Sequence, residues 1–463
     1  MRDLGRSDGL ATFRFSTSHR EGGLAARLAG SDGQVLAPPR GPDELDLVAE
    51  LHEALIESLD TNALNASSPK AARELVADAA EQLVGQRELS VYGEARQRLV
   101  RAVVDEVLGL GPIQPLVDDD SVSEIMVNGP NHVCVERNGV ISLTDVRFRD
   151  DEHIRRLAER ILSAIGRRVD EAAPMVDARL PDGSRVNITM PPATPEHPTI
   201  TIRKFRRDRY TIEDLIRVGT LDERLAEFLG TCVTYRRNVL VSGGAGSGKT
   251  TLLNALSAFI PRSERIITIE DPVELALQQR HVVRMEARPP DMQGQHAITQ
   301  RDLLRNALRM RPDRIIIGEI RGPEAFEMLQ AMNTGHEGSL STVHANSTRD
   351  ALARVENMVL MSGVDLPVHA IREQIASALD VVVQLQRFAD GSRRIVRVSE
   401  VTGMEGLTVT LQDLFVFRST GLDDEGRVTG RFEPTGIRPT FSEAIELQGG
   451  VLAPSLFLSE GWR

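Results

Sequence analysis

The chain has 463 residues, a formal charge of −12, 41% hydrophobic and 26% charged side chains, and only 4% aromatics. That is enough apolar material for a substantial core, and the length suits two to four structural units. The acidic balance argues against wholesale binding to DNA or lipid headgroups, and scarce aromatics argue against stacking on single-stranded nucleic acid. Two cysteines cannot make a cysteine metal cluster.

Residues 1–42 are rich in Gly, Ser, Arg and Pro without sustained periodicity, which predicts a mobile arm. The opening "MRDLGRSDGLATFRFSTSHR" has no apolar h-region, so no signal peptide is expected. No uncharged apolar run reaches the roughly 18 residues of a membrane span, so work at a membrane would run through a partner. Cys134 and Cys232 stand far apart in hydrophobic contexts, which predicts buried free thiols and fits a reducing cytoplasm.

Residues 43–90 read as helices. "ELDLVAELHEALIESL" places Leu45, Val48, Leu51 and Leu55 at helical spacing, and "SPKAARELVADAAEQLV" opens on a Ser-Pro entry signal. A longer amphipathic helix is expected over 91–109, closed by Gly109. "SEIMVNGPNHVCVERNGVISL" then alternates, with Asn128-Gly129 and Asn138-Gly139 as hairpin signals. A helix near 151–165 and a hairpin turn at Asp182-Gly183 complete a small α+β domain over 91–205.

After a linker near 204–212 the texture changes. Short apolar strands ("NVLVSG", "RIITIED", "RIIIGEI") alternate with helices, which predicts an α/β unit over 206–463 with a parallel sheet covered on both faces. From about 404 the alternation suggests a β-rich appendage.

Four segments of this unit carry chemistry. "VSGGAGSGKTTLLNAL" fits the phosphate-loop pattern at Gly243, Gly248, Lys249 and Thr250, with a strand before it and a helix after it. Its backbone, from Gly243 through Gly244, Ala245, Gly246, Ser247 and Gly248 to Thr251, would wrap a nucleotide's phosphates. Lys249 would reach the β and γ phosphates, and Thr250 would offer a hydroxyl to Mg2+. In "PDRIIIGEIRG" a strand ends in Glu319, an acid suited to the water shell of Mg2+. In "IITIEDPVEL" Glu270 and Asp271 end the strand that follows the loop's helix, and Glu270 is assigned as general base. Glu319 and Glu270 could exchange these roles. "TGHEGSLSTVHAN" holds His336 and His344, whose spacing does not match the zinc motif H-E-x-x-H. A phosphate-sensing role is the chemical reading, against ordinary core histidines. Arg179, Arg185, Arg203, Arg206 and Arg207 are candidates for neutralising charge at transfer. "RKFRRDRY" also fits a solvated linker or a nucleic-acid patch.

Taken together, these four segments resemble the secretion ATPase superfamily of type II and type IV secretion and type IV pili. The second and fourth correspond to its Asp box and His box. "DARLPDGSRVNI", "TITIRKF", "LLRNALRMRPDRIIIGE" and "TGIRPTF" are most similar to the CpaF/TadA branch, which powers Tad (Flp) pilus assembly. Two cysteines also cannot supply the four-cysteine metal element of type II secretion ATPases. The likeness runs from about residue 90 to the end. It implies an α/β fold in which a RecA-like domain follows a small α+β, PAS-like domain and a helical segment. It also implies a homo-hexameric, ATP- and Mg2+-dependent ATPase in the cytoplasm, docked on an inner-membrane platform protein. No nucleic-acid partner and no membrane insertion are expected. Arg203 and Arg185 are then the preferred charge-neutralising arginines. A DNA translocase of the RecA class is the alternative.

Overall fold

The structure, a computed structural model, describes residues 42–58, 67–87, 89, 91–137, 139–205, 210–290 and 295–458. The expected arm lies outside them except for Pro42, and so do Asn138, Arg206 and Arg207. The chain divides into two compact units, Met1–Lys204 and Phe205–Arg463.

The first unit opens with helices Pro42–Ser58, Pro69–Gln86 and Glu94–Leu108. Ser68 starts the second by accepting the N–H of Ala71, with Pro69 in the first turn, where a missing N–H costs nothing. Leu51 and Leu55, Val76 and Ala80, and Leu99 and Val103 close one apolar cluster among the three helices. Each fully buried leucine there contributes about 1.5–3 kcal/mol.

An antiparallel sheet follows, from strands β1 (Val122–Val127), β2 (Val133–Arg137), β3 (Val140–Leu143), β4 (Met175–Arg179), β5 (Arg185–Thr189) and β6 (Thr199–Arg203), in the order β3-β2-β1-β6-β5-β4. Ile125, Val127, Val186, Ile188, Ile200 and Ile202 form its core with Ile154, Leu157 and Ile161 of helix Asp151–Ser163. Asp150 caps that helix through the N–H of His153, 2.7 Å away. Two of the expected hairpins have five-residue connections. Asn128-Gly129 begins a five-residue connection, residues 128–132, closed by a bond from Asn128 N–H to the His132 carbonyl. Asp182-Gly183 likewise sits inside residues 180–184, where Asp182 accepts from both the N–H and the hydroxyl of Ser184.

The second unit has an α/β fold. Its strands are β7 (Val239–Gly243), β8 (Ile266–Glu270), β9 (Val282–Glu286), β10 (Arg314–Ile317), β11 (Leu340–Val343), β12 (Val381–Arg387), β13 (Arg393–Glu405), β14 (Thr408–Leu422) and β15 (Val428–Pro434). They form one sheet in the order β15-β14-β13-β12-β7-β11-β10-β8-β9, parallel from β12 through β9. Alternate residues of the parallel strands enter different cores. Val239, Val241, Ile266 and Ile316 meet Leu252, Leu253 and Phe228 on one face. Leu240, Ile267, Ile315 and Ile317 meet Met328, Leu329 and Val355 on the other. Burial on both faces is why these strands read as unbroken apolar runs. In the stretch expected as a β-rich appendage, β14 and β15 follow β13, and the three strands extend the same sheet antiparallel from β12. Cys134 and Cys232 are both buried free thiols. Among the described residues no helix is long and apolar enough to cross a membrane.

Candidate nucleotide-binding site

In a parallel sheet every strand finishes at the same edge, and ligands gather there. β7 ends in the glycine loop, β8 in Glu270, β10 in Gly318 and Glu319, and β11 in His344. The register keeps these ends level, pairing Ser242 with Val343, Ile317 with Ser341 and Ile269 with Ile317.

The loop's shape depends on its glycines. Gly246 and Gly248 adopt φ of 65° and 95°, a region that strains residues bearing a Cβ. A Cβ on Gly243 would lie 2.4 Å from Ser247 Oγ and 2.8 Å from the Leu385 carbonyl, so the chain turns there only without one. Gly244 and Ala245 form an exposed tip, and Ser247 donates from its hydroxyl to the Gly244 carbonyl at 2.9 Å. Helix Lys249–Ser257 begins immediately after, with no side-chain cap, so its first N–H groups and dipole face an acceptor from outside the helix. Thr251 is half-buried in its first turn.

Lys249 is buried, and its ammonium donates to the carbonyls of Gly243 and Gly244 at 3.1 and 3.0 Å. It also stands 3.4 Å from His344 Nδ1, while His344 Nε2 lies 3.3 Å from Glu319 Oε1. Burial and the charge of Lys249 lower the His344 pKa, which favours the neutral ring. The Lys249 ammonium lies 3.4 Å from His344 Nδ1 and 3.3 Å from Nε2, so whichever ring nitrogen carries the lone pair can accept from it. Lys249, His344 and Glu319 thus lie in one contiguous polar cluster beside the loop.

The two acids assigned catalytic roles have opposite environments. Glu270 is 1% exposed, and its Oε2 accepts the N–H groups of Glu274 and Leu275 at 2.6 and 2.7 Å. Its Oε1 is buried without a protein hydrogen-bond partner. Burial pushes its pKa above the ordinary carboxylate range, and the two backbone donors only partly oppose this. Gly318 makes room for it, since a Cβ there would stand 3.1 Å from Glu270 Cγ. Glu319 is also partly desolvated, but the hydrogen bond and charge of Arg321, with His344 and Lys249, outweigh that and lower its pKa. Arg321 Nη2 donates to Glu319 Oε2 at 3.2 Å. Such a split between neighbouring carboxyls marks out acid–base assignments.

Not every expected residue joins them. Asp271 is exposed beyond Glu270. His336 precedes β11, at the far edge of the sheet from the loop, next to where Ser339 N–H meets Asn238 Oδ1 at the start of β7. A strand advances about 3.3 Å per residue, so two histidines flanking β11 end up at its opposite ends.

Arg179, Arg185 and Arg203 belong to the first unit, where they pair in one row across β4, β5 and β6, followed by Glu124 on β1. Arg203 Nε is 3.6 Å from Glu124 Oε1. Like charges in direct cross-strand register are unfavourable, and Glu124 at the end of the row meets one of them. The row was invisible until the strand register was known.

Glu274 and Arg321 were missed by the sequence reading. Glu274 Oε2 receives the Thr250 hydroxyl at 3.4 Å. Its signal was present as the third acid in "EDPVEL". Arg321 directly follows the strand-end "GEI" and acts through Glu319. Among the described residues no group of three or more His, Cys, Asp or Glu is arranged to hold a metal ion.

A family model described as "Type II/IV secretion system protein" matches residues 106–428. A putative conjugal transfer protein of Mycobacterium tuberculosis is 36% identical over 313 residues, which is 66% of this chain and 88% of that protein. The type IV secretion system protein VirB11 of Brucella suis biovar 1 is 35% identical over 321 residues, 63% of this chain and 88% of its own length. A crystal structure of the VirB11 ATPase from the Brucella suis type IV secretion system, in complex with sulphate, is 32% identical with a TM-score of 0.35. That match covers 62% of this chain and 95% of the other.

Proposed function

The chain belongs to the type II/IV secretion system protein family, and on that premise we propose that it is an ATP-hydrolysing motor that powers pilus assembly or a related secretion machine. The observation that carries this reading is the convergence of Lys249, His344, Glu319 and Glu270 on one sheet edge around a glycine loop built for phosphate.

In this reading the Lys249 ammonium exchanges the carbonyls of Gly243 and Gly244 for the β and γ phosphates. The uncapped helix start and loop amides take the remaining phosphate oxygens. Thr250 Oγ1 beside the Glu274 carboxylate suits Mg2+, which favours a few protein oxygens completed by phosphate and water. Thr250 would hold it directly and Glu319 through water. The ion's contribution would be to neutralise charge on the transferring phosphoryl group. Glu270 would take the proton of the attacking water onto its unpartnered Oε1, its raised pKa making it a better base than an ordinary glutamate. Arg185 and Arg203, from this chain or a neighbouring copy, would balance the charge that builds up at transfer.

The finer reading is a homo-hexamer of the CpaF/TadA kind in Tad pilus assembly. It would lie in the cytoplasm against an inner-membrane platform protein, with no nucleic-acid partner. Microscopy of pili in cells carrying Lys249→Ala tests it. Loss of pili supports an extension motor, and persistent pili that no longer retract point to retraction. Turnover stimulated strongly by DNA and weakened by salt would instead establish the translocase alternative.

A further inference from the structure

Strand β12 runs beside β7 and continues past it. Leu385 is level with Gly243, so Arg387, two residues on and on the same face, stands alongside the glycine loop. The chain then reverses through residues 388–392. Gly391 turns with φ of 83°, Asp390 Oδ1 accepts from the N–H and hydroxyl of Ser392, and Asp390 Oδ2 accepts the Val428 N–H at 2.7 Å. This braced turn returns Arg393 directly opposite Arg387.

Both arginines reach the loop. Arg393 Nε donates to the Gly246 carbonyl at 2.8 Å, and its Cδ would be 3.4 Å from a Cβ on Gly248. Arg387 Nη1 would be 3.3 Å from a Cβ on Gly246. Two consequences follow from elementary chemistry. In a trans peptide the C=O and the next N–H point in opposite directions, so holding the Gly246 carbonyl outward turns the Ser247 N–H inward. That N–H indeed faces the Gly244 carbonyl inside the loop, at 3.4 Å. Second, two guanidinium groups beside the loop add positive charge where an anion would sit.

We propose that the β12–β13 hairpin is part of the nucleotide site: Arg393 is a positioning residue that orients the loop's amides through Gly246, and with Arg387 it supplies positive charge to the phosphates from the same unit. The inference rests on the ATP-binding reading above and adds to it two residues that lie some 140 positions from the loop.

The test uses the full chain as wild type, Arg393→Gln, Arg393→Lys and Arg387→Gln, with ADP and ATP titrated at about 50 mM and about 300 mM salt, alongside thermal melts. Each glutamine variant is expected to weaken ATP binding about 5- to 20-fold at low salt, less at high salt and less for ADP. Arg393→Lys should recover part of the affinity, since it keeps the charge but loses the fixed geometry of the guanidinium. Wild-type affinities in both glutamine variants would overturn the proposal. So would an equal loss at both salts with a lowered melting temperature, which would indicate packing alone. Wild-type protein that binds neither nucleotide would instead refute the ATP reading itself.

Discussion

Replacing Glu270 with Gln separates the base from the strut. Both backbone bonds to Glu270, from Glu274 and Leu275, end on a single oxygen, so a glutamine carbonyl can accept them unchanged. The glutamine amide then occupies the side of Oε1, which has no protein partner to lose. Burial already disfavours the charged form here, so removing the charge offsets much of the weakening of two charge-assisted bonds. The expected stability change is about 1 kcal/mol in either direction. Catalysis should respond very differently. Loss of a general base costs about 10²- to 10⁴-fold in kcat, or about 3–5 kcal/mol of barrier. Glu270→Ala, by contrast, strands two buried N–H donors and should also destabilise the fold by about 2–4 kcal/mol. Phosphate release, ADP binding and thermal melting on the two variants provide the comparison. Turnover of Glu270→Gln within a few-fold of wild type would remove Glu270 as base and transfer the role to Glu319. Loss of ADP binding in that variant would show that its carboxylate is structural.

Other outcomes follow from the same structure. The base works only when ionised, and the Glu270 pKa is raised, so kcat/KM should fall as pH drops through a value above the ordinary carboxylate range. An acid limb at or below that range in a pH–rate profile would contradict the assignment. Arg203→Gln or Arg185→Gln should reduce kcat about 10²-fold or more with the protein still folded, as expected of charge-neutralising arginines. Unchanged kcat in both would end their candidacy. Asp105, on helix Glu94–Leu108, has its pKa raised to about 6 by burial, with Arg73 3.7 Å away only partly compensating. The folded state therefore binds its proton more tightly than the unfolded state, so this contribution to stability is full below about pH 4 and lost as pH rises through about 6. Asp105→Asn should be about 1–3 kcal/mol more stable than wild type near pH 8, less at pH 4, and a gap independent of pH in melting experiments would refute this.

The site was legible in sequence where it is local. The glycines at positive φ, Lys249, the strand-end acids and His344 all sit at fixed offsets from apolar strands, and the sheet edge gathers them. What sequence could not supply is register. Asn128-Gly129 signals a turn, but the Asn128 to His132 bond sets its length at five residues. The alternation after residue 404 signals strands, but nothing local shows that they join the main sheet through β13 along β12. His336 was grouped with His344 by proximity in sequence, although β11 carries them to opposite edges of the sheet. Arg393 and the arginine row of β4, β5 and β6 were hidden for the same reason, since their partners are distant in sequence.

Phosphate release from ATP by the purified chain, set beside that of Lys249→Ala, tests the central claim most directly. Wild type should turn over ATP in a Mg2+-dependent manner, while the variant stays folded and loses at least about 10²-fold of that rate. Equal turnover by the two, or none by wild type with Mg2+ present, would contradict an ATP-hydrolysing motor.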